Sequence, residues 1–282
     1  MAGTLYLCAT PIGNLEDITY RVLRTLKEVD LIAAEDTRNS IRLLNHFEIK
    51  TPMTSYHEYN KIEKAYQLVE QLRAGKNIAL ITDAGTPAIS DPGEDLVRIC
   101  HEEGIDVTSL PGPAACITAL TVSGLPTRRF AFEAFLPREK KERTHVLRQL
   151  KDETRTVIIY EAPHHLVKTL EDLYETLGDR KISICRELTK RYEETTLTTI
   201  KESLLYYKST EPRGEYVLIV DGKTFEEIEK EDQKRWESMS VEEHMAVYEG
   251  RGIDRKEAMK LVAKDRGISK RDVYQALLKK EE

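Results

Sequence analysis

The stretch TDAGTPAISDPG (82–93) decides how this chain is read. It follows the apolar run IALI (78–81), which the turn-prone Gly75-Lys76-Asn77 bounds on its other side. Such a run reads as a buried parallel strand. At its carboxyl end stand Asp83, Gly85, Thr86, Pro87, Asp91, Pro92 and Gly93. Open α/β sheets hold ligands in the crevice at the carboxyl ends of their strands. A loop with so few large side chains offers backbone N–H and C=O groups at close range. Alone it is a weak signal, but two similar loops follow other apolar runs: PIGN (11–14) after Leu5 to Ala9, and PGPAA (111–115) after Ile105 to Leu110. Three such strand ends point to one shared pocket. None fits the phosphate-binding templates GxxxxGK[ST] or GxGxxG, so nucleoside triphosphates and nicotinamide cofactors are disfavoured. A partly flat ligand without strong negative charge fits better.

Working outward, the chain to residue 110 alternates strand and helix. Strands fall at 4–9, 29–34, 52–56, 77–82 and 105–110, and helices at 16–28, 37–46, 60–73 and 91–103. Repeated βα units with apolar strands indicate a mainly parallel sheet covered on both faces. A small-residue helix (114–123), a strand (129–136) and a charged helix (139–150) follow. Strands at 157–160, 182–186, 195–200 and 216–220 with helices at 164–176 and 201–207 then predict a mixed sheet. The acidic stretch after Gly222 reads as a linker. Beyond it lie helices at 240–248, 255–264 and 270–279, the last two a helix-turn-helix pair joined at Arg266-Gly267. The chain is therefore expected to be α/β with two such domains, 1–112 and 113–224, and an acidic linker plus helical module at 225–282.

At 282 residues with 40% hydrophobic and 33% charged content, the chain has the composition of a globular protein. No run approaches the roughly 18 apolar residues of a membrane span. The amino terminus has no basic region before its short apolar run and reads as a strand, not a signal peptide. Cys8, Cys100, Cys116 and Cys185 are widely spaced, which favours free thiols in the cytoplasm over disulfides or zinc; no metal site is expected. The net charge of −6 argues against nucleic acid, but its distribution does not. Residues 251–282 carry ten Lys/Arg against six acids, and 128–155 carry nine against five. Between 226 and 250 nine acids face Lys230, Lys234 and Arg235. Such runs are often solvated helix faces, but here they point to Arg128, Arg129, Lys140, Lys141, Lys260, Lys264, Lys270 and Arg271 as phosphate contacts, with Lys279 and Lys280 on the last helix.

PIGN (11–14), AEDTR (34–38), SYHEYN (55–60), TDAGTPAISDPG (82–93), PGPAA (111–115), YEAPHHL (160–166) and CRELTK (185–190) resemble, in order, the bacterial ribosomal RNA small subunit methyltransferase I family. This is a branch of the tetrapyrrole-methylase, class III S-adenosylmethionine-dependent methyltransferases. At Tyr59 the family usually shows His. The resemblance implies tetrapyrrole-methylase α/β domains and 2'-O-methylation of a cytidine ribose in 16S rRNA at the decoding centre. It also implies S-adenosylmethionine as donor, the 30S subunit or its rRNA as partner, and a homodimer. Pro11, Gly13, Asp83, Gly85, Thr86, Ala114, Ala115, Tyr160 and Glu161 are then expected along the donor, with Pro11 and Gly13 as floor near the sulfur and Asp83 and Asp91 as the nearest charges.

Methyl transfer from a sulfonium to a hydroxyl is an in-line displacement, so orientation supplies much of the acceleration. A ribose hydroxyl also needs a base or a stabilising cation. Asp36 and His57 are the first candidates, with Glu35, Glu58 and Arg38 beside them; Arg38 also suits a neighbouring phosphate. His164, His165, Arg186, Glu187 and Lys190 could complete the site. The alternatives are a methylase of a small tetrapyrrole-like substrate, against which the basic segments stand, and a non-enzymatic helix-turn-helix sensor of an adenosyl ligand, against which the acid–base cluster stands.

Overall fold

The computed structural model describes residues 1–278; Lys279 and Lys280, counted above on the last helix, lie outside the described residues. The chain groups into two compact units: Met1–Leu147 with Thr156–Asp221, and Arg148–Arg155 with the residues from Gly222 onward.

The first unit opens with β1 (Leu5–Cys8), α1 (Tyr20–Glu28), β2 (Leu31–Ala34), α2 (Thr37–His46), β3 (Met53–Ser55), α3 (Lys61–Arg73), β4 (Ile78–Ile81), α4 (Gly93–Glu102) and β5 (Val107–Leu110). These strands form one all-parallel sheet in the order β3-β2-β4-β1-β5. Alternation along each strand divides its side chains between two cores. Leu5, Leu7, Ile78 and Leu80 pack with Leu68, Leu72, Leu96 and Ile99 of α3 and α4. Cys8, Ile32, Ala79 and Ile81 pack with Val22, Leu26 and Leu44 of α1 and α2. Because every strand runs the same way, the five loops that follow them emerge from one edge.

The helix expected at 16–28 is instead a 3₁₀ turn at Leu15–Asp17 and a separate α1. Asn14 caps the first through Glu16 N and Thr19 caps the second through Val22 N, with Ile18 extended between them. Two good cap residues five positions apart divide what hydrophobic spacing alone reads as one helix.

The second sheet follows α5 (Ala115–Val122). It contains β6 (Phe130–Phe135), β7 (Thr156–Glu161), β8 (Lys181–Arg186), β9 (Glu194–Thr199) and β10 (Tyr216–Val220), in the order β6-β7-β10-β8-β9. Only β6–β7 is parallel, so the sheet is mixed as expected. The connecting helices are α6 (Lys140–Leu150), α7 (Pro163–Leu177) and α8 (Ile200–Ser209). Pro163 begins α7, where its missing N–H costs nothing.

The second unit contains α9 (Phe225–Glu237), α10 (Val241–Glu249), α11 (Arg255–Asp265) and α12 (Lys270–Leu278). The acidic stretch read as a linker is therefore a helix. Thr224 and Glu227 close a capping box at its start, and Glu226 and Glu227 sit where the helix dipole favours negative charge. Ahead of it, buried Lys223 pairs with Asp152 at 2.7 Å and Glu231 at 2.5 Å. Met245, Ala258, Val262 and Val273 form the small core of α10–α12. His244 is fully buried, stacked on Trp236 at 3.8 Å, and its Nδ1 accepts from Arg266 Nε at 3.1 Å. All four cysteines are buried and free. Among the described residues no helix is long and apolar enough to cross a membrane.

Candidate active site

Two loops of the parallel sheet are stitched together first. Thr10 and Gly85 exchange both backbone hydrogen bonds at 2.9 Å, and Thr10 Oγ1 donates to Thr82 O at 3.1 Å. Gly85 sits at φ +87°, a conformation open to glycine and costly for other residues. Thr86 Oγ1 then donates to Pro113 O at 2.9 Å, which ties the loop after β4 to that after β5. The far end of the loop is held by Asp91, whose Oδ1 accepts from Ala88 N and Gly93 N, and by Tyr56, whose hydroxyl donates to Pro92 O. Ala88 and Ser90 adopt positive φ, +66° and +64°. Backbone strain of this kind persists where surrounding contacts over-determine it.

The loop after β2 is joined to the same place. Thr82 Oγ1 donates to Glu35 Oε2 at 2.6 Å, and Asp83 accepts from Asp36 N at 3.1 Å and Asn39 Nδ2 at 3.2 Å. Asp36 caps α2 and is gripped by Arg38, whose Nη2 lies 2.7 Å from Oδ2 and whose Nε lies 3.1 Å from Oδ1. The Arg38 side chain, through these bonds and then its backbone N–H, pulls the Asp36 carboxyl down to about 2. His57 lies on the loop after β3; its Nδ1 is buried with no hydrogen-bond partner among the described residues, and its ring meets Tyr59 edge-on at 6.1 Å.

The loops after β1, β4 and β5 and the second sheet enclose a cavity of about 480 Å³, whose lining does not include Glu35, Asp36, Arg38 or His57. Asp83, Gly85, Thr86, Ala114, Ala115, Tyr160 and Glu161 line it. Pro11 and Gly13 do not; Ile12 between them does. Gly13 instead lies under Lys190, whose Cγ would stand 2.4 Å from an added Cβ. Asp91 is also absent from the lining, its carboxylate being spent on the loop backbone. The sequence reading missed Phe135, Leu188, Glu215, Tyr216 and Val217, which also line the cavity. Phe135, Tyr216 and Val217 come from strands whose apolar residues read only as core, whereas Leu188 and Glu215 stand on loops beside β8 and β10, Leu188 within CRELTK.

Tyr160 is fixed by its hydroxyl, which accepts from Cys116 N at 3.0 Å, and by Phe132 and Phe135 packed edge-on at 5.0 and 5.6 Å. Burial, more than the neighbouring Cys116, pushes its phenol pKa up. Glu161 is buried; Oε1 accepts from Ala162 N at 2.8 Å and Oε2 from the Thr169 hydroxyl. Tyr160→Phe removes the acceptor at the first turn of α5, and an unpaired N–H there costs about 1 kcal/mol. Urea unfolding is expected to show a loss of that size.

Among the described residues the cavity is lined by three acids, Asp83, Glu161 and Glu215, and by no Lys, Arg or His. That chemistry fits a cationic, partly apolar ligand such as S-adenosylmethionine, and its volume lies within the ordinary range of small-molecule sites.

Arg128, Arg129, Lys140 and Lys141 are exposed in the first unit. In the second unit Lys260, Lys264 and Arg271 are exposed and Lys270 is half-buried. Lys260 is already paired with Glu257 at 2.6 Å.

The family described as "Tetrapyrrole (Corrin/Porphyrin) Methylases" matches residues 4–203. A protein named ribosomal RNA small subunit methyltransferase I from Halalkalibacterium halodurans is 52% identical over 272 residues, 96% of this chain and 93% of that protein. One of the same name from Thermotoga maritima is 45% identical over 221 residues, 78% of this chain but 99% of its own length. Among solved structures, a diphthine synthase covers 79% of this chain and 91% of its own with a TM-score of 0.61 at 14% identity, a likeness of fold.

Proposed function

This chain belongs to the ribosomal RNA small subunit methyltransferase I family of tetrapyrrole (corrin/porphyrin) methylases, and on that premise we propose that it methylates the ribose 2'-hydroxyl of a cytidine in 16S rRNA at the decoding centre. S-adenosylmethionine is the donor, the rRNA or 30S subunit the partner, and the cytoplasm the compartment. The observation that carries the reading is the all-acidic charge of a cavity walled by small and apolar residues.

When bound, the donor supplies an electrophilic methyl group on a sulfonium. The rest of the work falls to the chain. Asp83 attracts the donor's positive charge, while the Glu215 carboxylate is already paired with Lys190 at 2.7 Å. Tyr160 and Ile12 give apolar surface, and the loops through Gly85 and Ala114 bring backbone groups close. Asp36, held at about 2 by Arg38, is a poor proton acceptor and acts by capping α2. His57 is then the remaining candidate base of the two. Glu35, bonded to Thr82, positions the loop. Arg38 remains exposed enough to meet a phosphate. Steady-state kinetics check this assignment: His57→Ala is expected to lower kcat by about a hundredfold or more, and Asp36→Asn by less than about tenfold.

The basic residues Arg128, Arg129, Lys140, Lys141, Lys260, Lys264, Lys270 and Arg271 serve RNA phosphates. A role for α9–α12 in affinity for RNA is part of this proposal. Assembly as a homodimer is part of the same reading. The test is incubation with labelled methyl donor and either 30S subunits or free rRNA. Label in a ribose 2'-O position supports the reading; label only in small molecules, or none, refutes it.

A further inference from the structure

A second cavity of about 390 Å³ shares Ile12 and Ala114 with the first. Two polar atoms of its lining residues, Asp17 Oδ2 and Thr189 Oγ1, are buried with no hydrogen-bond partner among the described residues. Buried polar groups are rarely left so, and each needs an explanation. A third hydroxyl there, Thr118 Oγ1, is already spent on Ala114 O at 3.0 Å. The remaining walls, including Ile12, Pro113 and Ile117, are apolar.

Both residues are held by defined backbone. Asp17 sits on the 3₁₀ turn, with its N–H bonded to Asn14 O at 3.1 Å. Thr189 stands at φ +64°, a conformation β-branched residues rarely take. The turn around it is over-determined: Lys190 N donates to Glu187 O, and Lys190 Nζ reaches Glu187 Oε1 at 2.9 Å and Glu215 Oε2 at 2.7 Å. Strain maintained in this way marks functional sites.

We propose that this second cavity is the acceptor-base pocket, taking a nucleobase turned out of the RNA stack beside the donor. The proposal rests on the cytidine-methylating reading above. Flat apolar walls suit a ring, and turned-out bases are read through the hydrogen-bonding edge. Asp17, an acceptor, pairs with an exocyclic amine as carboxylates do with cytosine N4, whereas uracil would place a carbonyl oxygen against it. Thr189 donates to or accepts from the adjoining ring edge. Among the described lining residues there is no cation, and a carboxylate repels phosphate, so the cavity does not suit the RNA backbone.

The test uses the full protein with 30S subunits carrying either cytidine or uridine at the mapped acceptor position. Asp17→Asn, Thr189→Val and Thr189→Ser are compared with wild type for kcat/KM, with donor affinity measured by calorimetry as the check on folding. Asp17→Asn is expected to lower kcat/KM on cytidine about tenfold to a hundredfold and to shrink the cytidine-over-uridine preference, because its amide offers an N–H to uracil O4. Thr189→Val is expected to lose about tenfold, and Thr189→Ser to recover it. Donor affinity should stay within about twofold of wild type throughout. An active wild type beside variants with unchanged kcat/KM and unchanged base preference overturns the base pocket alone. Wild type that methylates neither RNA overturns the parent reading and this one with it.

Discussion

Asp83→Ala is expected to weaken donor binding about a hundredfold or more, close to 3 kcal/mol, in titration calorimetry. The side chain does two things at once. It is one of three acids facing the cavity, so removing it takes away attraction for a cationic ligand. It also accepts from Asp36 N and Asn39 Nδ2, so its loss releases the start of α2 from the loop after β4. Asp83→Asn separates the two: it keeps an acceptor for Asp36 N but discards the charge. It should keep the stability of wild type and still lose most of the affinity. Unchanged affinity in both variants would show that the donor does not lie against this loop.

Gly85→Val is expected to be almost as damaging, by a different route. At φ +87° any side chain is strained, at a cost of roughly 1–2 kcal/mol, more for a β-branched one. An added Cβ also stands 3.4 Å from Ile12 Cγ2, so the two further methyl groups of valine push the cavity wall. The backbone bonds that Gly85 exchanges with Thr10 are then under load, and those bonds hold the loops after β1 and β4 together. Stability in urea should fall by about 2 kcal/mol, and donor affinity by at least tenfold. A variant with wild-type affinity would show that these loops can part without loss of the site.

Most of the strand and helix order was legible because burial follows local rules. IALI had to be a two-face-buried strand, Pro163 had to start a helix, and closely spaced strands after residue 180 had to pair antiparallel. The same rules misread 16–28, where Asn14 and Thr19 each cap a separate turn, and the stretch after Gly222. Nine acids there suggested a solvated tether, but acids in a first turn behind Thr224 stabilise a helix.

The site was half legible. Loops rich in glycine and proline announce themselves, and Asp83, Gly85, Thr86, Ala114, Ala115, Tyr160 and Glu161 were all readable from them. An ordinary strand valine carries no mark of the cavity it will face, which is why Val217 escaped notice. Roles proved harder than positions. Asp36 looks like a base on paper, yet Arg38 two residues away removes its basicity.

Local chemistry along the chain is enough to set where strands, caps and tight turns fall, since backbone sterics, side-chain capping and hydrophobic alternation act over a few residues. Which loops meet, that Lys190 lies across Gly13, and that Asp17 and Thr189 share one hollow all depend on contacts between residues far apart in sequence. Those contacts arise only when both sheets have closed on their cores, because packing in three dimensions, and not spacing along one, chooses the neighbours of each side chain.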